Sequence, residues 1–466
     1  MSQQELPKLN HALIKVVGVF KYSKKTDIRH ATQNLGYKSM PKIILPDGMA
    51  EAERKDAIKD SETFLKNNYY KEFRGVLLTG DADDKNAEGE KKQETRVLLR
   101  ERELKAGFKG RDKSIGFSSP RQELFLFPDE VGIFSIQLVP DDFSLSGASD
   151  LINLARQFNS KISEENNDKL EFHHWISREV LGGIAITGPT VEADDFSGSK
   201  LKIFAVYDIE KQDHIESASD LRHLLYEMGT VSRIGSVKSN AHYAPSTDYY
   251  SRIESENFFS AFKNYEMLAL LDSFSVLGYG NYRDLEDKDF YTFNTWFKTY
   301  FSLYIFTLYI RYSLYRHNVH FREDPLKQRD EFKDFLVQYN LRHISFNFLP
   351  NLIFEHLRKA LLIDEEIELF EKRLESLAQK IQEQQEKKQA ALLGLISALS
   401  SLQAIDPVMA GYKQVKTNLG LPEGLFWTLL AIIILGLGWT AFWFFMPFVY
   451  RKTIKKIKSK LGLSIR

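Results

Sequence analysis

Twenty-six consecutive residues near the C-terminal end, Leu425 to Tyr450, carry no charge: LFWTLLAIIILGLGWTAFWFFMPFVY. A helix needs only about 20 apolar residues to cross the hydrocarbon core of a bilayer. A buried core helix of this length would be unusual. Trp427 near one end and Trp443, Phe448 and Tyr450 near the other suit the two membrane interfaces. Directly after it comes RKTIKKIKSKLGLSIR, with seven Lys or Arg and no acid. Basic flanks stay on the cytoplasmic side, so 451–466 reads as a basic cytoplasmic tail. With one crossing, everything upstream would then lie outside. The first residues hold only the short apolar stretch Ala12 to Phe20, interrupted by Lys15, and read as a strand rather than an export signal. A second crossing removes the conflict. Its candidate is Ala390 to Gly411, AALLGLISALSSLQAIDPVMAG. A carboxylate such as Asp406 costs roughly 2.5–3.5 kcal/mol at the centre of a lipid-facing helix, which favours a helix facing a pore or a partner. The alternative is an amphipathic helix lying outside the bilayer.

Upstream of this candidate, apolar residues recur at Ile363, Ile367, Phe370, Leu374, Leu377 and Ile381, with spacings alternating between four and three. That is a coiled-coil heptad seam, and it predicts a stalk helix over 346–389. The seam serves either self-association or packing against another helix of the same chain. Past the polar Gln384 and Lys388, the same register meets Ala391, Leu395, Ala398, Leu402 and Ile405. One continuous helix would thus carry the seam into the first crossing.

Residues 1–260 read as mixed α/β. Strands are expected at Leu13–Phe20, Gly75–Thr79, Glu123–Phe127, Ile133–Val139, Gly182–Thr187 and Leu201–Tyr207, with a hairpin loop at Phe127–Gly132. From about Glu254 the pattern turns helical and aromatic, and 261–345 is expected to be a helical region. Tyr300–Ile310 is apolar, but Lys298 and Arg311 confine it to far less than a bilayer span, so it belongs to a core or a helix interface. The charge-dense stretch Asp81–Lys113 begins as a solvated loop. Its end, Gly107-Phe108-Lys109-Gly110-Arg111-Asp112-Lys113, joins flexible backbone to three cations. Lys109, Arg111 and Lys113 are therefore candidates for holding a phosphate, against the plainer reading of a surface turn. His173-His174 has no third ligand at metal-site spacing and reads as structural. Gly182-Gly183 and Thr187-Gly188-Pro189 lack the strand-to-helix context of a dinucleotide fingerprint. There is no P-loop, HExxH or nucleophile elbow in the sequence, so no enzyme and no covalent cofactor are expected. With 63 basic and 63 acidic residues, net charge gives no reason to expect a nucleic-acid partner. The absence of cysteine excludes a disulfide framework and thiolate metal sites, and fits a reducing cytosol.

The C-terminal third has a long stalk helix, a short polar loop, a second crossing and a basic tail. Pro407 is followed eleven residues later by Asn418, and Leu421-Pro422-Glu423 then leads into Phe426-Trp427. Over roughly 345–466 this order and spacing resembles the CorA family of magnesium channels. That family has a proline in its first membrane helix, a Gly-Met-Asn signature ending eleven residues on, and an acidic Met-Pro-Glu-like loop. Here Lys416-Thr417-Asn418 stands at the signature, so the Asn is matched while the Gly and Met are not. Lys413 and Lys416, repeated around a ring, are a poor way to attract hydrated Mg²⁺. CorA-like proteins without the signature include zinc transporters and membrane effectors encoded beside type III CRISPR systems, which respond to nucleotide second messengers.

The resemblance implies an α/β cytosolic domain followed by a long helical stalk and a two-helix transmembrane hairpin. Its crossings would be 390–412 and 425–450, joined by an extracytoplasmic loop at 413–424. In that loop Lys416, Thr417, Asn418, Pro422 and Glu423 occupy the signature positions. It also implies a homo-oligomer, expected to be a pentamer, in the bacterial inner membrane, multi-pass with both termini cytoplasmic. The extended seam and the family pattern give the same pore-facing set: Leu395, Ala398, Leu402, Asp406 and Met409. The expected activity is a channel gated by a small cytosolic ligand, a nucleotide or a divalent cation, in antiviral defence. The alternatives are a divalent-cation transporter for magnesium or zinc, and a non-conducting membrane-tethered scaffold or receptor.

Overall fold

A computed structural model describes residues 6–22, 34–74, 95–110, 114–128, 130–163, 169–184, 186, 200–210, 218–230, 234, 245–279, 289–321, 325–403, 407, 409–414, 424, 427–428 and 431–432. The chain divides into two units, 1–370 and 371–466.

The first unit is organised by β1 (Leu9–Lys21). Leu13, Ile14, Val16 and Val17 are all fully buried, so consecutive side chains on both faces are covered. A strand of that kind belongs in the middle of a sheet with a layer on each side. It pairs antiparallel with β5 (Val131–Pro140) and with β8 (Lys202–Ile209). Beyond β5 come β4 (Ser114–Leu126), β3 (Arg96–Lys109), β6 (Lys161–Ser163) and β7 (Lys169–Glu171). The two-residue β2 (Lys38–Ser39) also pairs with β3. On the other side, β8 runs parallel to β11 (Ser273–Tyr279), which is followed by β10 (Tyr265–Ala269) and β9 (Phe258–Phe259). Gly18 of β1 leaves room for the Phe134 ring of β5, which a Cβ there would strike.

Helix α1 spans Glu51–Asn68. One face of the sheet is covered by α2 (Leu145–Ala155), α3 (Phe172–Glu179), α4 (Ala218–Gly229) and α5 (Thr247–Glu256). Their Leu151, Ile152, Trp175, Ile176, Leu225 and Ile253 form one core with Ile14, Val16, Phe134 and Ile203. The opposite face receives a single long helical run. It starts as α6 (Phe290–Asn294), widens into a π-helical turn at Thr295–Tyr300, and continues as α7 (Phe301–His320). All side chains from Phe301 to Ile310 are buried. A helix apolar on every side must be enclosed on every side. The sheet encloses it through Phe125–Phe301, Phe204–Tyr304 and the Phe127–Tyr309 stack at 3.8 Å. Helices α8 (Pro325–Tyr339) and α9 (Phe348–Ala360) cover its other side through Tyr309–Tyr339 and Phe306–Phe354.

Four of the expected strands coincide with β1, β4, β5 and β8, Phe127 and Leu201 lying one residue outside β4 and β8, and Phe127 to Val131 closes the hairpin between β4 and β5 with an N–H···O bond of 2.9 Å. Gly75–Thr79 lies outside the described residues. Gly182–Thr187 is not a strand in its described residues: Gly182 and Gly183 have φ of +62° and +97° and turn the chain after α3. The region expected to be helical from about Glu254 contains β9, β10 and β11. These short apolar runs are buried on both faces, and periodicity alone does not separate such a strand from a buried helix.

The stalk expected as one helix over 346–389 is two helices. α9 ends at Ala360, and α10 (Ile363–Gln403) begins after a break where Leu362 takes a left-handed φ of +55°. Seam residues Ile363, Ile367 and Phe370 are buried within the first unit, with the Phe370 ring 3.9 Å from Phe332 and 5.3 Å from Phe321. This part of the seam therefore packs against helices of its own chain.

In the second unit α10 continues past residue 390 to Gln403, and Pro407 and residues 409–414 are also helical. Leu374, Leu377 and Ile381 are half-buried, whereas Leu392, Leu393, Leu395, Ile396 and Leu399 are exposed. Among the described residues no helix is long and apolar enough to cross a membrane. Of the segment Leu425–Tyr450 only Trp427, Thr428, Ala431 and Ile432 are described, and the tail 451–466 lies outside the described residues.

Candidate functional site

The π-turn Thr295–Tyr300 is the irregular element at the heart of the first unit. A π-turn inserts an extra residue into the helical ladder, and such insertions recur at functional sites. Here the Phe297 carbonyl accepts a 2.9 Å bond from the Lys15 ammonium. Lys15 projects from the central strand and is fully buried, and its ammonium also meets Glu123 Oε2 of β4 at 2.8 Å. It lies 3.4 Å from the ring centre of Phe297 and 3.8 Å from that of Phe301. Burial pushes the Lys15 amine down to about 8, against the opposing charge and hydrogen bond of Glu123.

The residue after Phe297, Lys298, is only 5% exposed. Its ammonium donates to the backbone carbonyls of Pro41 and Lys42. Burial lowers it to about 7, with Glu123 opposing the change and Lys42 adding to it. Asn294 fixes the same loop from the other end. Its Oδ1 accepts from the Ile44 N–H and its Nδ2 donates to the Ile44 carbonyl, both at 2.8 Å. Residues 41–44 are therefore latched to the π-turn and to the residue before it by two side chains.

Between this latch and α1 lies a cavity of about 390 Å³. That is the size of a small-molecule pocket. Ile43, Phe64, Leu65 and Tyr291 supply apolar wall, while Lys42, Asp60, Ser61, Thr295, Lys298 and Thr299 supply polar groups. Lys42 is itself paired with Glu62 of α1 at 2.7 Å. A second cavity of about 200 Å³ shares Phe64, Thr295 and Thr299 with the first, and is completed by Tyr69, Tyr300, Phe348 and Pro350. Burial raises the Tyr69 and Tyr300 phenols, so both remain hydrogen-bond donors at neutral pH. The two lobes form one cleft, cationic and hydroxyl-rich at one end and aromatic at the other.

The helix carrying the π-turn also holds the root of the stalk. The Arg311 guanidinium donates to the Leu361 carbonyl at the break between α9 and α10. Asn318 Nδ2 donates to Glu366 Oε2 at 3.0 Å, and the His317 ring faces Phe370 at 6.2 Å. An unbroken helical run from Phe290 to His320 thus has the cleft at one end and the first turns of α10 at the other.

Lys109 ends β3 and is exposed. Gly107 to Lys109 are held in the β3–β4 ladder opposite Ser114 to Gly116, so this part of the expected phosphate loop is strand. Arg111 and Lys113 lie outside the described residues. Leu395 is exposed on α10 and Met409 is half-buried in the helical stretch that follows. The backbone of Ala398 and Leu402 belongs to α10, and their side chains lie outside the described set, as do Asp406, Lys416, Thr417, Asn418, Pro422 and Glu423. His173 and His174 do have a third potential ligand, Glu171, with one donor atom of each within 4.8 Å of the others. The cleft itself was hidden in the sequence, because its walls come from residues 42–69, 291–300 and 347–350. The chain matches no protein-family model, no curated protein and no solved structure.

Proposed function

We propose that the chain is an oligomeric, CorA-like membrane channel gated by a small ligand in the two-lobed cleft of its soluble unit. The observation that carries this reading is the joining of a ligand-sized cleft to the stalk root by one unbroken helix. A ligand acts on an equilibrium only through contacts that differ between two states. On this reading the latch of Lys298 and Asn294 onto residues 41–44 is the set of contacts that the ligand changes, and it sits on the helix that holds Glu366 and Phe370. The uncharged segment Leu425–Tyr450, the basic tail after it and the exposed Leu392, Leu393, Ile396 and Leu399 support a membrane location and self-association. The pore is lined by Leu395, Ala398, Leu402, Asp406 and Met409. Leu395 and Leu402 form apolar rings that dewet when closed, and Asp406 forms a carboxylate ring that favours cations. The ligand is a nucleotide second messenger, in the setting of a type III CRISPR-associated antiviral response.

Ion flux through liposomes containing the purified chain tests this. Added nucleotide is expected to open the path, Leu402→Ser to leak without it, and Asp406→Asn to reduce cation conductance at unchanged oligomer mass. Flux that follows Mg²⁺ or Zn²⁺ and ignores nucleotides makes the chain a divalent-cation transporter. No flux under any condition makes it a scaffold or receptor.

A further inference from the structure

We propose that Glu171, His173 and His174 bind a divalent transition-metal ion of the zinc class, at a site separate from the cleft and independent of the channel reading. The donor set decides the class of ion. Two imidazoles and one carboxylate suit zinc and its neighbours, whereas magnesium and calcium prefer oxygen donors alone. Three protein ligands leave a fourth position for water.

The surroundings orient each donor. Glu171 closes β7, and its Oε1 is held by Lys161, the residue opposite it across the β6–β7 hairpin. That leaves Oε2, which lies 3.6 Å from His173 Nδ1. His173 Nδ1 is 3.0 Å from the Phe158 carbonyl. A carbonyl oxygen only accepts, so Nδ1 carries the proton and the Nε2 lone pair is left for a metal. A histidine whose second nitrogen is fixed by a backbone carbonyl is the usual arrangement in metal sites. The His173 ring is also set edge-on to Phe158 at 6.4 Å. His174 lies beside it with ring centres 4.0 Å apart, and is exposed.

The scaffold underneath is firm. Phe172, Trp175 and Ile176 of α3 are buried, with Phe172 packed on Phe108 of β3. A tetrahedral ion with bonds of about 2.0–2.1 Å needs donors closer together than 4.8 Å. Because the Oε2 contact is to the protonated Nδ1, closure on Nε2 takes a swing of the half-buried Glu171 carboxylate as well as rotation of the exposed His174, neither of which disturbs the core. One local feature opposes binding: Lys161 holds the Glu171 carboxylate with a charge of the same sign as the ion, and its removal is therefore diagnostic.

The experiment is calorimetric titration of zinc alone into the full-length, tag-free chain in detergent, with cobalt(II) absorption as a second reading. One equivalent per chain and a tetrahedral cobalt spectrum are expected. His174→Ala and Glu171→Gln should each weaken zinc at least tenfold, and Lys161→Ala should tighten it severalfold. Because His174 and Lys161 are exposed, those variants test binding without threatening the fold. No zinc binding by the parent chain, or parent-like affinity in both His174→Ala and Glu171→Gln, overturns the assignment.

Discussion

Replacing Lys298 with methionine keeps the length of the side chain and removes its charge and its donors. Two opposed effects follow. The carbonyls of Pro41 and Lys42 lose their donor, at about 1–3 kcal/mol each if no water replaces it. Against this, the parent chain carries an amine that burial lowers from 10.5 to about 7. Below pH 7 this lysine is charged in both the folded and the unfolded chain, and the cost of burying the charge is fully present. As the pH rises from about 7 towards 10.5, the folded chain holds fewer protons than the unfolded one, so its stability increases. At about 1.4 kcal/mol per pH interval of one, corrected for partial titration near 7, the gain between pH 7 and pH 9 is roughly 2 kcal/mol. Methionine has no such term. Urea unfolding of parent and Lys298→Met, followed by tryptophan emission in one detergent at both pH values, measures the difference. The variant should fall further behind the parent at pH 9 than at pH 7, by about 2 kcal/mol. Lys15 titrates in both chains and cancels. An equal stability gap at the two pH values refutes the argument that Lys298 is buried at a cost.

Lys15→Met should destabilise the chain by about 3–5 kcal/mol by leaving Glu123 charged and buried, and the double variant Lys15→Met/Glu123→Leu should recover most of that in the same unfolding assay. Leu362→Gly should raise the melting temperature slightly, because glycine accepts the left-handed backbone that costs leucine about 1 kcal/mol or more. Leu374→Lys with Leu377→Lys should break the detergent-solubilised oligomer into smaller species, since these seam residues lie beyond the part buried within the chain. An unchanged mass by light scattering would remove the seam from the assembly.

The central strands were readable because their apolar runs are bounded by turn residues and carry strong β-formers: β1, β5 and β8 all appear near their expected limits. Tyr300–Ile310 was assigned to a core because its flanking charges made it too short for a bilayer, and it is a core helix. The same charges concealed the site. Lys298 reads in the sequence as the charged limit of an apolar run, yet its partners are the carbonyls of Pro41 and Lys42, more than 250 positions away. No local pattern announces a π-turn, and Asn294 acquires its role only when Ile44 is brought against it. Glu171 was visible two residues before His173. Positions 171, 173 and 174 together share one face of neither a helix nor a strand, so a strand end meeting a helix start was needed to make them converge.

The central position of β1 has a consequence for how the protein is made. Ile14 lies opposite Ala205, so β1 leaves the ribosome and waits for 191 further positions before that neighbour exists. At synthesis rates of about 5–20 residues per second, the delay is about 10–40 s. Throughout that time Leu13, Ile14, Val16 and Val17 have no sheet to enter on that side, and a holding chaperone has a ready substrate. The strand closes with β8, the α7 layer follows another hundred residues on, and only then does the 26-residue uncharged segment leave the tunnel. Translation therefore delivers the first unit ahead of the chain's most apolar stretch, so that the two need never compete for the same partners.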